Sequence, residues 1–289
     1  MAIGSPKSNT TPVAKQSRTH AHLSQSHDPE KGRQLHATAL IKAGEVLLVD
    51  PPYAAIPVVD NPMSSDDVLC SNSDCRRKVP RDTDTRGVKR IACPNRCVDE
   101  VVWCNTICHD ADVVRHGLEC AWLKGLACTL REVEGEYYFG VLWLIIRVLA
   151  MRYLEHKQGI TTPTKERFSS GWTAMTELCD NRKLWPREDL REWKWLVRKY
   201  VCSDPSLQEI LLSPDDILTL ICQQESNSFG LYPRATGIPS STDRGEQYGA
   251  AIFPRSSIAN HSCYPNVSPT NYPLFVQGSN GDDSSIDHA

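Results

Sequence analysis

Residues 93–120 read CPNRCVDEVVWCNTICHDADVVRHGLEC, and residues 70–75 before them read CSNSDC. Seven of the chain's twelve cysteines fall in this stretch: Cys70, Cys75, Cys93, Cys97, Cys104, Cys108 and Cys120. His116 stands between the last two. The spacing is C-x4-C, a loop, C-x3-C, then C-x3-C-x7-H-x3-C. A short pair offers two soft donors on one turn, and a second pair from elsewhere closes a tetrahedron. Four such pairs match the need of two four-coordinate zinc ions.

A disulfide framework is the competing reading. Met1 to His20 is polar, carries Lys7, Lys15 and Arg18, and has no apolar run of the signal-peptide kind. Disulfides are rare in reducing compartments. The cluster is therefore read as metal ligation, and the expected compartment is nucleus, cytoplasm or both. Cys128, Cys179, Cys202, Cys222 and Cys263 are scattered and read as small apolar residues or free thiols.

Outward from the cysteines, the chain changes character twice. Residues 1–17 are rich in Ser, Thr, Lys and Pro and read as a disordered tail. His20 to Ser26 alternates, a turn follows over His27 to Gly32, and Leu35 to Leu40 suits a strand. Val46 to Val49 reads as a buried strand stopped by Pro51-Pro52. Beyond the cysteines, Ala111 to Leu126 turns helical, which places His116 and Cys120 on one helix face. Glu136 to Glu155 is apolar nearly all round and reads as a buried helix. Further helices are expected over Trp172–Cys179, Arg187–Tyr200 and Asp215–Cys222, the last started by Ser213-Pro214. Strands and turns return over Gly249–Phe253, Ser256–Asn266 and Tyr272–Val276, and residues 278–289 read as a second disordered tail.

Composition excludes some classes. The net charge is only −3, so the chain as a whole is not a polyanion binder. The Arg76–Arg90 loop is basic, but Asp66–Cys120 nearly balances. Seven thiolates and two zinc ions would add three further negative charges. Nucleic-acid binding is not expected. The longest apolar run, Tyr137–Met151, is short for a span and carries Arg147, so no membrane partner is expected.

The cysteine block resembles a MYND zinc finger. That resemblance implies interleaved pairs: Cys70, Cys75, Cys104 and Cys108 on one zinc, Cys93, Cys97, His116 and Cys120 on the other. Trp103 stands where the family has an aromatic. The first two pairs are looser than the family's usual C-x2-C. His109, beside Cys108, is read as a surface residue.

The flanks extend the resemblance. Lys31-Gly32-Arg33-Gln34-Leu35 with Ile41-Lys42-Ala43-Gly44-Glu45 resembles the start of a SET domain. Ser257-Ile258-Ala259-Asn260-His261-Ser262-Cys263-Tyr264-Pro265-Asn266 resembles its NHSCxPN core, and Asn227-Ser228-Phe229 also matches. The order resembles the SET and MYND domain (SMYD-type) protein-lysine methyltransferases. The implied architecture is α+β: a disordered tail (1–17), a SET N-terminal part (18–65), a MYND finger (66–122), an all-helical insert (123–222), an incomplete SET core (223–277) and a tail (278–289). The implied cofactors are two zinc ions and S-adenosylmethionine (SAM). The backbone near Gly32, Arg33 and Gln34 would hold the cofactor's methionine end, and Asn227, Ser257, Ile258, Asn260 and His261 would line the rest.

Two departures shape the expectation. The family usually has a glycine where Gln34 stands, and a side chain there crowds a backbone approach. After Asn266 there is no Gly-Glu turn with a catalytic tyrosine and no further cysteine. No catalytic residue is assigned, and this chain is expected to be inactive or weakly active. The expected substrate is a lysine of a histone or another protein, and the expected state is a monomer. The alternative is a non-catalytic module binding proline-containing peptides through the finger.

Overall fold

The computed structural model describes residues 18–29, 32–57, 67–75, 77–80, 90–159, 168–232, 247–260 and 266–267. His261, Cys263, Tyr272–Val276, both expected tails and most of the Arg76–Arg90 loop lie outside the described residues.

The fold is α+β, and its sheets are small and antiparallel. β1 (Arg18–Thr19) pairs with β4 (Leu48–Val49). β2 (Leu23–Asp28) and β3 (Gly32–Ala37) form a hairpin in which Asp28 faces Gly32. Gly32 has φ +72, a conformation that glycine adopts without steric cost. The expected turn over residues 27–32 is thus shorter, because strand pairing runs to its last possible residue. The strand expected over Val46–Val49 shrinks to Leu48–Val49, and Val46 is exposed.

A three-stranded sheet is sewn from distant parts of the chain. β5 (Ala54–Pro57) pairs with β11 (Gly249–Ile252), which pairs with β10 (Ser228–Leu231). A Cβ at Gly249 would lie 3.0 Å from the Ile56 carbonyl oxygen, so this crossing requires the smallest residue.

Between these strands lie two hairpins and the helices. The hairpins are β6 (Asp67–Leu69) with β7 (Lys78–Pro80), and β8 (Ile91–Ala92) with β9 (Val102–Trp103). Then come α1 (Thr106–Gly117), α2 (Cys120–Glu134), α3 (Glu136–Lys157), α4 (Gly171–Thr176), α5 (Arg187–Leu196) and α6 (Pro214–Asn227). Where one helix is expected over Ala111–Leu126, the chain breaks at Leu118-Glu119 into α1 and α2. The Leu118 and Glu119 amides turn back onto the carbonyls of Arg115 and His116. A π-helical turn (Val197–Cys202) ends α5, and Ser256–Ile258 is a 3-10 turn. Ser213 caps α6 by accepting from the Asp216 amide, with Pro214 in the first turn.

α3 carries apolar side chains on every face and is the centre of the core. Its 22 residues exceed the apolar run read from the sequence, and by length and composition alone it could cross a membrane. Most of its apolar window is instead covered by protein. One apolar core runs without a break from Val68, Val79 and Trp103 through Trp122 and α3 to Val197 and Ile221. The cysteine-rich segment is therefore packed on the helices, not strung beside them.

Candidate metal centres and cofactor face

The first ligand group is built on two turns. Cys70 follows β6, and its amide donates to Arg77 across the hairpin mouth. Asn72 Oδ1 accepts from the Asp74 amide and folds the chain so that Cys75 returns toward Cys70. Asn105 caps α1 by accepting from the Cys108 amide at 2.8 Å, so Cys104 and Cys108 flank the helix start. The Cys75–Cys104 and Cys104–Cys108 sulfur pairs are each 3.5 Å apart. The hydrogen bond from Cys70 lowers the Cys75 thiol to about 5, and the Cys70 thiol is raised in return.

The second group uses the second hairpin and the α1–α2 break. Cys93 and Cys97 embrace a turn closed by the Arg96 amide on the Cys93 carbonyl, with Arg96 at φ 49. The extra residue of C-x3-C is absorbed in this left-handed position. His116 ends α1 and Cys120 begins α2, so the two do not share one helix face as expected; the break brings them together instead. His116 Nε2 lies 3.2 Å from Cys93 Sγ and 3.7 Å from Cys97 Sγ, and Cys93 Sγ lies 3.6 Å from Cys120 Sγ. Burial opposes the Cys93 thiolate, but the Cys97 backbone N–H and His116 outweigh it and bring the thiol to about 7.

Within each group all four ligand atoms lie within 4.8 Å of one another. A sulfur tetrahedron around zinc has edges of about 3.8 Å when the bonds are about 2.3 Å. The observed separations fall near that edge and far outside the 2.0 Å of a disulfide. Donor set and spacing both fit zinc, so both groups could hold it. His109 joins neither group: it bonds Asp110 and packs edge-on against Trp103.

Behind the second group lies a feature the sequence reading missed. Glu119, in the α1–α2 break, is fully buried. Its Oε1 faces His116 Nδ1 at 3.1 Å, Arg115 at 2.9 Å and Arg147 Nη2 at 3.2 Å. Its Oε2 accepts from Trp143 Nε1 at 2.9 Å and Arg147 Nε at 3.1 Å. Burial alone would raise this carboxyl; Arg115 and Arg147 override it and hold it well below the usual range. Arg147 also donates to the Ala55 carbonyl in β5. Arg115 grips Asp112, which accepts from Trp103 Nε1 at 2.8 Å. The signal in sequence was an arginine at the centre of an apolar helix, which has to find a buried partner.

Of the residues assigned to a cofactor, those of β3, Asn227 and Ser257–Ile258 belong to segments that come together. Leu23 and Leu35 of the β2–β3 hairpin pack with Ile258 and Phe168. Ser257 Oγ donates to the carbonyls of Phe253 and Asn227. Asp50 Oδ2 accepts from the Arg255 and Ser256 amides and anchors the 3-10 turn. The side chains are mostly committed to protein partners. Arg33 pairs with Glu177 at 3.2 Å, and Asn227 Nδ2 donates to Cys179 and Gln223 carbonyls at 2.7 and 2.8 Å. Gln34 is half-buried opposite Ser26, and Asn260 is exposed. A ligand here would meet backbone, the open space beside Gly32 and the rim carboxylate of Glu177. Glu177 was not anticipated, and neither was Asn181, which reaches Ser226 from a positive φ of 48.

Two closed groups of soft ligands, each able to hold a metal ion, thus lie within an α+β fold of small antiparallel sheets. No family model matches the chain. It is similar to a SET and MYND domain-containing protein of Dictyostelium discoideum, at 24% identity over 91% of this chain and 52% of that protein. It is similar to histone-lysine N-methyltransferase ASHR1 of Arabidopsis thaliana, at 24% identity over 85% of this chain and 43% of that protein. N-lysine methyltransferase SMYD2 of Gallus gallus matches at 24% identity over 84% of this chain and 46% of its own length. These relatives support a SMYD-type family for the chain. The chain spans about half the length of the curated relatives it matches.

Proposed function

We propose that this protein is a SAM-dependent protein-lysine methyltransferase of the SET and MYND type, acting on a histone or another protein in nucleus or cytoplasm. Residues 18–65 and 223–277 would form the split SET unit, 66–122 the zinc finger and 123–222 the helical insert. The observation that carries the reading is the convergence of β3, Asn227 and Ser256–Ile258, distant in sequence, on one face. Methyl transfer needs the amine neutral and aligned with the methyl–sulfur bond. The cofactor supplies that electrophilic methyl when bound. The face would contribute backbone contacts at Gly32–Gln34 and two opposed charges, Arg33 and Glu177, suited to a methionine carboxylate and ammonium. Titration calorimetry of the chain with SAM tests this: saturable one-site binding is expected, and a folded protein giving no binding heat counts against it. Labelled-methyl transfer to histones and to a cell lysate then reads the activity.

A second reading, a peptide-docking finger, is favoured by one groove. It measures about 420 Å³ and lies between the second ligand group and α2. Val98, Leu123 and Ala127 supply apolar contact, and Arg96, Asp99, Glu100, Lys124, Arg131 and Glu132 supply charge of both signs. Proline-containing peptides that occupy it would shift the amide signals of Val98 and Lys124; unmoved signals would exclude that site.

A further inference from the structure

We propose that Glu119 is the positioning residue of the second metal centre, and that through Arg147 it couples that centre to strand β5 of the split sheet. The proposal rests on the reading of Cys93, Cys97, His116 and Cys120 as zinc ligands. A carboxylate only accepts, so His116 Nδ1 carries the proton that faces Glu119 Oε1 at 3.1 Å. Nε2 is then left with its lone pair directed at the Cys93 and Cys97 sulfurs, the tautomer a metal requires. Without Glu119 the ring could rotate or protonate at the wrong nitrogen.

The same carboxylate is held from the other side. Trp143 and Arg147, both on α3, donate three N–H groups to it, and Arg147 uses a fourth on the Ala55 carbonyl. Ala55 pairs with Ala251 in β11, and that strand leads into the Asp50-anchored 3-10 turn. Imidazole, carboxylate, guanidinium and sheet thus form one chain of hydrogen bonds through side chains that are almost wholly excluded from water. A buried network of this kind is rigid only while every member is satisfied. An imidazole released from metal would be free to leave Glu119, which would loosen Arg147 and β5.

The test uses the full chain and counts zinc first. Wild type is expected to hold two zinc ions and to release them to a chromophoric chelator in two phases. In Glu119→Gln one phase should quicken roughly 10–100-fold, as seen when outer partners of metal-bound histidine are lost, and the other should not. Glu119→Asp, which keeps the charge, carries the same measurement if the Gln variant does not fold. Nitrogen-15 spectra of the imidazole should show the Nδ1–H form in zinc-loaded wild type and lose it in the variant. For the coupling, Cys97→Ala removes a ligand of the second centre and leaves His116, Glu119 and Arg147 in place. Amide exchange at Ala54–Pro57 and Gly249–Ile252 should then accelerate. Unchanged release and an unchanged tautomer overturn the positioning role. Wild-type protection of β5 in a Cys97→Ala protein that holds one zinc overturns the coupling. Fewer than two zinc ions in folded wild type overturns the metal reading itself.

Discussion

At the metal centres the chemistry sits in side-chain tips: seven sulfurs and one ring nitrogen, gathered into two groups each within 4.8 Å. At the cofactor face the tips are spent on the protein. Asn227 braces α6 against the loop at Cys179, Arg33 holds Glu177, and the Ser257 hydroxyl ties two backbone segments. The first kind of site is lost by removing one atom. The second is a surface whose shape is kept by many bonds, so a substitution there acts through the fold before it acts on a ligand.

The largest expected effect sharpens the contrast at the metals. Cys104→Ala should drop zinc from two ions to one per chain and unfold much of Cys70–Cys120, because structural zinc contributes about 10–16 kcal/mol to such modules. Elemental analysis with circular dichroism reads both; two retained ions would break the ligand assignment. Acidification should act likewise, since the ligating thiols reprotonate as pH falls and release metal.

Next in size is the brace at the other region. Asn227→Ala leaves the Cys179 and Gln223 carbonyls without their amide donor. At about 1 kcal/mol per bond, a loss of roughly 2 kcal/mol in stability is expected from urea melts. SAM binding should weaken with it. If affinity fell while stability held, Asn227 would be a direct ligand and the contrast would fail.

Asp50 offers a smaller, pH-dependent effect. Burial raises its carboxyl above the ordinary value of 3.8 despite the Ser256 and Arg255 amides. With the folded value above the unfolded one, its stabilising contribution is full below the unfolded value and is lost as pH rises through the folded value. Asp50→Asn keeps an oxygen for the two amides and removes the buried charge. It should flatten that slope above the ordinary value of 3.8 and leave neutral-pH stability unchanged or slightly higher. A slope as steep as wild type would place the titration elsewhere.

The smallest effect is Gln34→Gly. Glycine in a strand costs about 0.5–1 kcal/mol. It also removes the side chain that crowds the backbone approach, so SAM affinity should rise or hold. A clear fall in affinity would show that the Gln34 side chain, rather than the backbone, meets the ligand.

This division explains what could be read from the sequence. Ligand sulfurs announce themselves by residue type and spacing, so the four pairs were legible, while their interleaving came from the family resemblance and the helix break between His116 and Cys120 was missed. At that break Glu119 meets Arg147 of another helix, a tertiary contact with no local signature. Ser256–Ile258 was read only as part of a region of strands and turns; the Asp50 carboxylate, which anchors it as a 3-10 turn, comes from a distant part of the chain. Glu177 and Asn181 lie in a polar loop where nothing local distinguishes a site residue from a solvated one.

The position of β5 in the sheet has a consequence for synthesis. Ala54–Pro57 leaves the ribosome early, but its partner Gly249–Ile252 follows only after well over half the chain. At 5–20 residues per second the strand waits roughly ten to forty seconds with an apolar edge unpaired. β6, whose Leu69 packs with Ala55, and then α3, whose Gly140 admits Ile56, emerge in between and can cover it. The order of emergence therefore favours a nascent chain in which finger, α3 and β5 assemble first. Metal supply during translation, rather than after release, would then govern how much of this protein reaches its native state.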